Sequence, residues 1–418
     1  MKTLLYFEEY ESNLSHKLFE RTDILPIILR TTKNMRFFSQ EYLKETQKYK
    51  IYIVDYFNDM DEEVIKFKKW LYENKLVIDY FLNDSEYYLE YSNKFAEKLG
   101  LNALSAQQIL WVRDKVEMKK RFREIGLDTV DFYEVNDKNE IKKIFFESGR
   151  EKMIFKPRRG MNSIDTYIIN SEDDIDNLNI NIEPGKYMLE QFCYDHEWSI
   201  ESIVQDGKVI DSYVTYIPNP TIWASIANEL NCHMTIPKIP NYFKFTPKEY
   251  IQQIVSGMNL KDGAMTIEVF ISNDGNIKAS ELGWRLPGCQ ATLNHSYSYG
   301  IDIYNALLDI AIHDKVSLQY RNPIISVGDL YLPNKEGIIS NITPLSDLLK
   351  MDGAIDGELF TKVGEFQKKR RVGNDASGWI QVAGADENDT LRKMQYIFDN
   401  FEIEVKDEYK EKKYVKKI

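Results

Sequence analysis

Two glutamates and an arginine in the second half of the chain have side chains that could bind a phosphate and its metal ions. The segment AMTIEVFISNDGNIKASELGWRLPG carries Glu268, Glu281 and Arg285. Carboxylate oxygens are the ligands that Mg²⁺ prefers, and this ion often binds together with substrate phosphates. A guanidinium four residues after the second glutamate suits a phosphate or an oxyanion. The segment therefore predicts phosphate chemistry with magnesium. The alternative is a solvent-facing hairpin that carries two ordinary acids.

A β-hairpin would bring these side chains together. Apolar residues at 265, 267, 269 and 271 alternate with 266, 268 and 270, which is the period of a half-buried strand. Asp274-Gly275 is typical of a two-residue hairpin turn, and this turn would place Glu268 directly opposite Glu281. Because like charges across a strand pair are destabilising, the pair favours a bridging cation.

Two lysines are further candidates for phosphate binding. Residues 112–126 predict a helix that Asp114 caps and Gly126 ends, with Lys115 in its first turn. The helix dipole disfavours a cation there, so by itself Lys115 indicates only a solvated lysine. Residues 153–169 predict a strand with Lys156, a polar loop and a second strand. Such a loop can offer N–H groups and cations to phosphates. It contains a single glycine, whereas a glycine-rich loop is the usual phosphate-binding pattern, so the loop alone is a weak indication.

Acidic and histidine side chains in the next segments are weaker candidates. Residues 187–204 predict two strands joined by a bend at Tyr194-Asp195, with Glu190 and Glu197 on either side of it. Residues 218–245 contain several prolines and no clear period, which predicts a long surface loop with His233 near its middle. Taken singly, these residues indicate strand-edge charge and a polar loop.

Composition limits the class of protein. The 418 residues are 43% apolar and 29% charged, which predicts a soluble globular chain with a substantial core. A net charge of −12 argues against nucleic acid as the main partner. The cysteines lie at 193, 232 and 289, a spacing that indicates neither a disulfide framework nor a zinc site and fits a reducing cytoplasm. The early acidic residues of the N-terminus argue against a signal peptide, and the short apolar runs argue against a membrane span.

The flanking regions predict the positioning elements. In residues 1–105, strands at 25–29 and 51–54 alternate with helices at 62–74 and 93–99, which favours a parallel sheet. Residues 301–312 predict a helix with Asp302 as its cap. Residues 331–400 predict short strands, with a core strand at Trp379 and a helix near 390–401. The lysine-rich residues 406–418 predict a solvated end.

In this order the segments resemble the ATP-grasp superfamily, and within it the carboxylate–amine ligases that act on amino acids and dipeptides. The resemblance covers roughly residues 90–315. It lies in four segments: RDKVEMKKRFREIGLDTVDFYEV, IFKPRRGMNS, MLEQFCYDHEWSIE and EVFISNDGNIKASELGWRLPG.

The resemblance implies an α+β and α/β architecture in four parts. These are an N-terminal α/β domain (1–105), a small nucleotide-binding lobe or lid (106–185), a large lobe with the metal hairpin (186–325) and a C-terminal α+β lobe (326–418). It also implies ATP and two Mg²⁺ ions, with Mn²⁺ as a substitute. The site residues that it implies are Lys115, Lys156 and Ser163 at the phosphates; Glu190, Gln191 and Cys193 at adenine; Glu197 at ribose; Glu268 and Glu281 at the metal; Arg285 in catalysis; and Arg158, His233 and His295 at the substrate.

Two departures from the family pattern stand out. The family usually has a metal-binding asparagine two residues after the second glutamate, and here that residue is Gly283. The loop after Lys156 has arginines at 158 and 159 where glycines are usual. The first departure puts the third metal ligand in doubt, and the second predicts either a stiffer loop or arginines that reach the substrate carboxylate.

The implied reaction joins a small-molecule carboxylate to an amine through an acyl phosphate, and releases ADP and phosphate in the cytoplasm. One alternative transfers the acyl group to the amine or thiol of a carrier protein. Another is a non-catalytic nucleotide-binding protein, against which the complete set of lysines, glutamates and Arg285 argues. A homodimer is among the oligomeric states that the sequence leaves open.

Overall fold

The computed structural model describes residues 1–220, 224, 227–322, 324–369 and 375–406. Part of the predicted loop at 218–245 and nearly all of the lysine-rich end therefore lie outside the described residues. Within the described ranges, no helix combines the length and hydrophobicity needed to cross a membrane.

The N-terminal unit is a parallel sheet covered by helices, as the alternation of strands and helices predicted. Its sheet has the order β3-β2-β1-β4, and each neighbouring pair is parallel. The first strand was not predicted, because its apolar run is short and soon becomes acidic. Gly100 ends α4 in the left-handed conformation, with φ of 79°. The elements are β1 Lys2–Phe7, α1 Asn13–Glu20, β2 Ile24–Thr31, α2 Gln40–Thr46, β3 Lys50–Val54, α3 Met60–Glu73, β4 Tyr80–Asn83 and α4 Leu89–Leu99.

The second unit is a small antiparallel sheet with the order β5-β8-β6-β7. Its core contains Val135, Phe155 and Leu189, which are fully buried. The strand β8 pairs with β5 and β6, so this sheet extends across the predicted boundary at 185/186. The elements are α5 Ala106–Arg113, α6 Lys115–Glu124, β5 Phe132–Val135, α7 Lys138–Ser148, β6 Met153–Pro157, β7 Tyr167–Ile169, α8 Glu172–Asp176 and β8 Tyr187–Gln191.

An eight-stranded sheet forms the centre of the molecule, with the order β13-β12-β9-β10-β11-β14-β18-β16. Its last three strands, β14 (Ser326–Tyr331), β18 (Gly378–Gly384) and β16 (Ala354–Leu359), come from the C-terminal region. It joins the predicted large lobe to the predicted C-terminal lobe, since β11 pairs with β14 across 325/326. Asp302 caps α11 by accepting a hydrogen bond from the Asn305 N–H, as predicted. The elements up to residue 311 are β9 His196–Gln205, β10 Lys208–Ile217, β11 Asn231–Thr235, α9 Pro247–Gly257, β12 Gly263–Ile271, β13 Ile277–Gly283, α10 Ala291–Tyr299 and α11 Ile303–Ala311.

The C-terminal elements complete this sheet and add a smaller one. Strands β17, β15 and β19 form a separate three-stranded sheet. Trp379 is buried in β18, as its core-strand pattern predicted. The elements are β14 Ser326–Tyr331, β15 Gly337–Ile342, α12 Leu345–Leu348, β16 Ala354–Leu359, β17 Phe366–Gln367, β18 Gly378–Gly384, α13 Glu387–Asp399 and β19 Ile403–Lys406.

The central hairpin β12–β13 places Glu268 opposite Glu281, as predicted, but by a different route. The turn is not the predicted two-residue one: the Ser272 N–H donates to the Asn276 carbonyl, which leaves the three residues 273–275 between them. A bulge then inserts Ser280, because Glu268 faces Glu281 whereas Val269 faces Ala279. The extra residue on β13 compensates for the longer turn, and the two glutamates remain partners.

His233 lies in a strand, not in the predicted surface loop. It belongs to β11, which pairs with β10 and β14 inside the eight-stranded sheet, and its side chain is buried. No strand period is visible in this segment, because both faces of β11 are covered and its residues therefore do not alternate between apolar and polar.

Candidate functional site

A cleft of about 330 Å³ lies between the small antiparallel sheet and one face of the eight-stranded sheet. Alternate residues of a strand project to the same side, so Glu197, Ser199 and Glu201 of β9 share this face. Glu268 of β12 lies beside Ser199, and Glu281 of β13 lies beside Glu268. The lining also includes Lys115, Lys156, Ser163, Glu190, Gln191, Cys193, His233 and Arg285.

Lys115 and Lys156 meet at Glu281. The Lys115 Nζ lies 3.0 Å from one carboxylate oxygen, and the Lys156 Nζ lies 2.6 Å from the other. Burial disfavours the charged form of Glu281, but these two lysines outweigh it and lower the pKa of the carboxyl group. Asp114 caps α6 and so fixes the start of the helix from which Lys115 projects. Two cations that lie far apart in sequence therefore converge on the central hairpin β12–β13.

A third lysine, which sequence analysis missed, lies beneath this cluster. Lys119 is fully buried and donates to the Ser280 carbonyl at 2.9 Å. Its Nζ lies 3.3 Å from Glu190, whose other oxygen is 2.5 Å from Lys156. Burial lowers the pKa of Lys119, whereas Glu190 favours its charged form. The spacing of four residues from Lys115, one helical turn, was the available signal.

Glu268 lies beside this cluster without a cation of its own. Among the residues that the structure describes, none forms an ion pair with its carboxylate. Its surface is accessible inside the cleft, yet the surrounding protein and the neighbouring Glu281 and Glu197 raise its pKa to about 8. A carboxylate with no ion pair among the described residues, next to a second carboxylate, fits an oxygen-ligated cation such as Mg²⁺.

The residues assigned to the nucleotide base, ribose and loop lie along one wall of the cleft. Gln191 ends β8, Cys193 lies in the connection to β9, and Glu197 follows in β9. The Cys193 thiol contacts the Asp195 carboxylate at 3.5 Å, and burial raises its pKa to about 11, so it is neutral at physiological pH. Ser163 lies in the β6–β7 loop with φ of 56°. These positions agree with their assignment as cleft residues and leave their ligands as a prediction.

Arg285 binds a residue that the sequence did not single out. Its Nε and Nη2 atoms donate to the same oxygen of Glu86 at 2.8 and 2.6 Å. The Arg113 Nη1 donates to the other Glu86 oxygen at 2.6 Å. Burial opposes the ionisation of Glu86, but both arginines outweigh it and lower its pKa. The N-terminal unit therefore supplies the counter-ion of Arg285.

The three residues expected at the substrate occupy different places. His233 lines the cleft and lies 3.1 Å from the buried carboxylate of Asp329. His295 is fully buried behind the cleft wall and contacts Glu201 at 2.9 Å. Arg158 does not line the cleft, because its guanidinium is bound by Asp114 and by Glu134. The expectation that Arg158 reaches a substrate carboxylate therefore finds no support here.

Comparisons with known proteins agree with this architecture. No protein-family model matches the chain. A curated relative, the L-arginine-specific L-amino acid ligase of Bacillus subtilis, is 19% identical over 319 residues, which are 74% of this chain and 76% of the relative.

Solved structures with a similar fold cover nearly the whole chain. The L-amino acid ligase from Bacillus licheniformis has a TM-score of 0.74 at 15% identity and covers 97% of this chain and 99% of its own. The phosphoribosylglycinamide synthetase from Anaerococcus prevotii has a TM-score of 0.68 at 17% identity, with 97% and 100% covered. At these identities the likeness establishes the fold.

Proposed function

We propose that this chain, which has the ATP-grasp fold that its motifs predicted, is an ATP-dependent carboxylate–amine ligase. It forms an amide from an amino acid or another small carboxylate, with release of ADP and phosphate. The observation that supports this most strongly is the convergence of Lys115, Lys156, Glu268 and Glu281 in one cleft beside Arg285. The curated relative makes L-amino acids, arginine among them, the first carboxylates to test.

The first step is phosphoryl transfer from ATP to the substrate carboxylate. This chemistry depends on positioning and charge neutralisation more than on covalent catalysis. Lys115 and Lys156 now neutralise Glu281, and both ammonium groups line the cleft, so they can bind phosphate oxygens from the same positions. Mg²⁺ held by Glu268 and Glu281 would supply further neutralisation of the phosphates.

The second step is attack of the amine on the acyl phosphate, with loss of phosphate. The tetrahedral species carries an oxyanion, which a fixed guanidinium can stabilise. Arg285 suits this role because Glu86 holds its side chain at the cleft, two residues beyond the end of β13. The relatives named above give no support to the alternative acceptor, a carrier protein.

A screen of amino acids tests the proposal. Purified protein is incubated with MgATP and single L-amino acids or pairs of them, and phosphate release and amide products are measured. We expect phosphate release that depends on the amino acid, together with an equal amount of amide and ADP. ATP binding without any amino acid-dependent turnover would contradict the proposal.

A further inference from the structure

A carboxylate on the floor of the cleft has no role in the reaction described so far. Glu201 lies in β9, on the same face as Glu197 and Ser199, and lines the cleft although only 4% of its surface is exposed. The alternating acid–serine–acid pattern in EWSIE was the sequence signal for it.

The strand register places Glu201 on the Arg285 side of the metal hairpin. Ser199, Glu268 and Glu281 form one row across three strands, and Glu201, Thr266 and Gly283 form the next. Rows two residues apart along a strand are about 7 Å apart. Glu201 therefore lies one row from the two metal-hairpin glutamates, toward the position at which the acyl group would meet Arg285.

Contacts with two hydroxyl groups and an imidazole fix the orientation of this carboxylate. The Ser199 hydroxyl donates to it at 2.5 Å and the Thr215 hydroxyl at 3.0 Å. The His295 Nε2 lies 2.9 Å from the same oxygen that Thr215 contacts, and its Nδ1 lies 3.0 Å from the Thr235 hydroxyl. These contacts hold Glu201 rigidly without placing a lysine or arginine against it.

Four other titratable groups of the cleft either have charged partners or are proposed to bind the metal. Glu86 lies between two arginines and Glu281 between two lysines. Glu268 would hold the metal. The His233 imidazole lies beside the Asp329 carboxylate, and the Cys289 and Asp329 side chains outweigh burial and raise its pKa well above its usual range, which favours its protonated form. Glu201 differs from these four because its partners are hydroxyl groups and one imidazole.

We propose that Glu201 is the general base of the amide-forming step, an inference that rests on the proposed function. As the amine nitrogen forms its bond to the acyl carbon, the nitrogen loses a proton to the Glu201 carboxylate. The bond between the acyl carbon and the phosphate oxygen breaks, and phosphate leaves with that electron pair. His295 acts as a positioning residue, since it contacts the carboxylate from behind and not the substrate.

A comparison of two nucleophiles tests this role. Glu201→Gln keeps the shape of the side chain and removes its basicity. Hydroxylamine is neutral at physiological pH and releases its proton readily after attack. Its reaction with the acyl phosphate therefore depends on a general base far less than the reaction of an ordinary amine does. With the carboxylate identified by the screen, we expect Glu201→Gln to lower amide formation by about 10²–10⁴-fold. Hydroxamate formation should stay within about threefold of wild type.

Two further variants sharpen the test. Thr215→Val removes one donor to the carboxylate but leaves the base, so the ratio of amide to hydroxamate should stay near that of wild type. If Glu201→Gln fails to bind ATP, Glu201→Asp withdraws the base by one methylene group, and this ratio must still fall. An equal loss of both products would overturn the proposal, because it would indicate a structural role, and no loss of either would overturn it, because the proton would then go to another group such as the phosphate. A wild-type protein that makes hydroxamate but no amide would instead contradict the proposed function.

Discussion

The Glu86 carboxylate binds the Arg285 guanidinium through two hydrogen bonds to one oxygen, at 2.8 and 2.6 Å. This contact links the N-terminal unit to the residue proposed to stabilise the reacting oxyanion. It also means that Arg285 is positioned before any substrate arrives, which limits the reorganisation that the reaction requires.

We expect Arg285→Met to impair amide formation more than nucleotide binding. Loss of one oxyanion donor costs about 2.7–4 kcal/mol, or roughly 10²–10³ in rate. With the amine withheld and the carboxylate supplied, ADP formation in a single turnover should remain largely intact. An equal loss in both assays would show instead that Arg285 binds the phosphate before the chemistry. Glu86→Gln is the companion variant, which keeps Arg285 but removes the negative charge of its partner. We expect this variant also to impair amide formation more than ADP formation in a single turnover, by a smaller factor than Arg285→Met.

Glu281→Ala should lower turnover by several orders of magnitude, because a proposed metal ligand and the counter-charge of Lys115 and Lys156 disappear together. Steady-state phosphate release measures the effect, and circular dichroism tests whether the fold is retained. Glu404→Ala, at an exposed position of β19, is the control and should leave turnover unchanged. Near-normal turnover of the Glu281 variant would contradict the proposed metal-binding role of the central hairpin.

Lys156→Met should weaken ATP binding, measured by calorimetry, and should also reduce stability. Glu190 and Glu281 would each lose one cation but keep another, Lys119 and Lys115 respectively. We therefore expect the free energy of unfolding to fall by about 1–3 kcal/mol, less than the ~3–5 kcal/mol typical of a broken buried ion pair. Unchanged ATP affinity would show that Lys156 serves only this internal network.

Asp84→Asn should stabilise the protein at high pH. Burial raises the pKa of Asp84 from 3.8 to about 6, so the folded state holds this proton more tightly than the unfolded state. The protonated Asp84 carboxyl contributes to the free energy of unfolding fully below pH 4, and this contribution is lost as the pH rises through 6. Denaturant unfolding should therefore show a gain of about 1–3 kcal/mol for the variant at pH 8 and little gain at pH 4. The same gain at both pH values would mean that the carboxylate charge is not the cause.

Gly275→Ala should destabilise the central hairpin. Gly275 has φ of 81°, and an added Cβ would lie 1.7 Å from the Tyr242 carbonyl oxygen, which belongs to the backbone. We expect a loss of more than about 2 kcal/mol in the free energy of unfolding. Gly288→Ala, where an added Cβ meets no atom within 4 Å, is the matched control for stability. A neutral effect at Gly275 would argue against the three-residue turn.

The sequence by itself determined the local elements and the types of residue that they present. These local features depend only on neighbours a few positions away, so the sequence is enough to predict them. They include the period of two around Glu268, the cap at Asp114 and the turn residues Asp274-Gly275. The motifs also predicted the fold, which the structural comparisons confirmed.

Only the tertiary structure decided which charges meet. Glu86 and Arg285 are 199 positions apart, and Lys156 and Glu281 are 125 apart, so no local pattern connects them. Arg158 shows the reverse case, since its place in a phosphate-loop motif did not prevent Asp114 from binding it. Burial removes water from such groups and makes each one depend on the partner that packing supplies. Which partner each group meets depends on how the sheets assemble, and this assembly places Glu86 and Glu201 at the cleft and Lys119 beneath it.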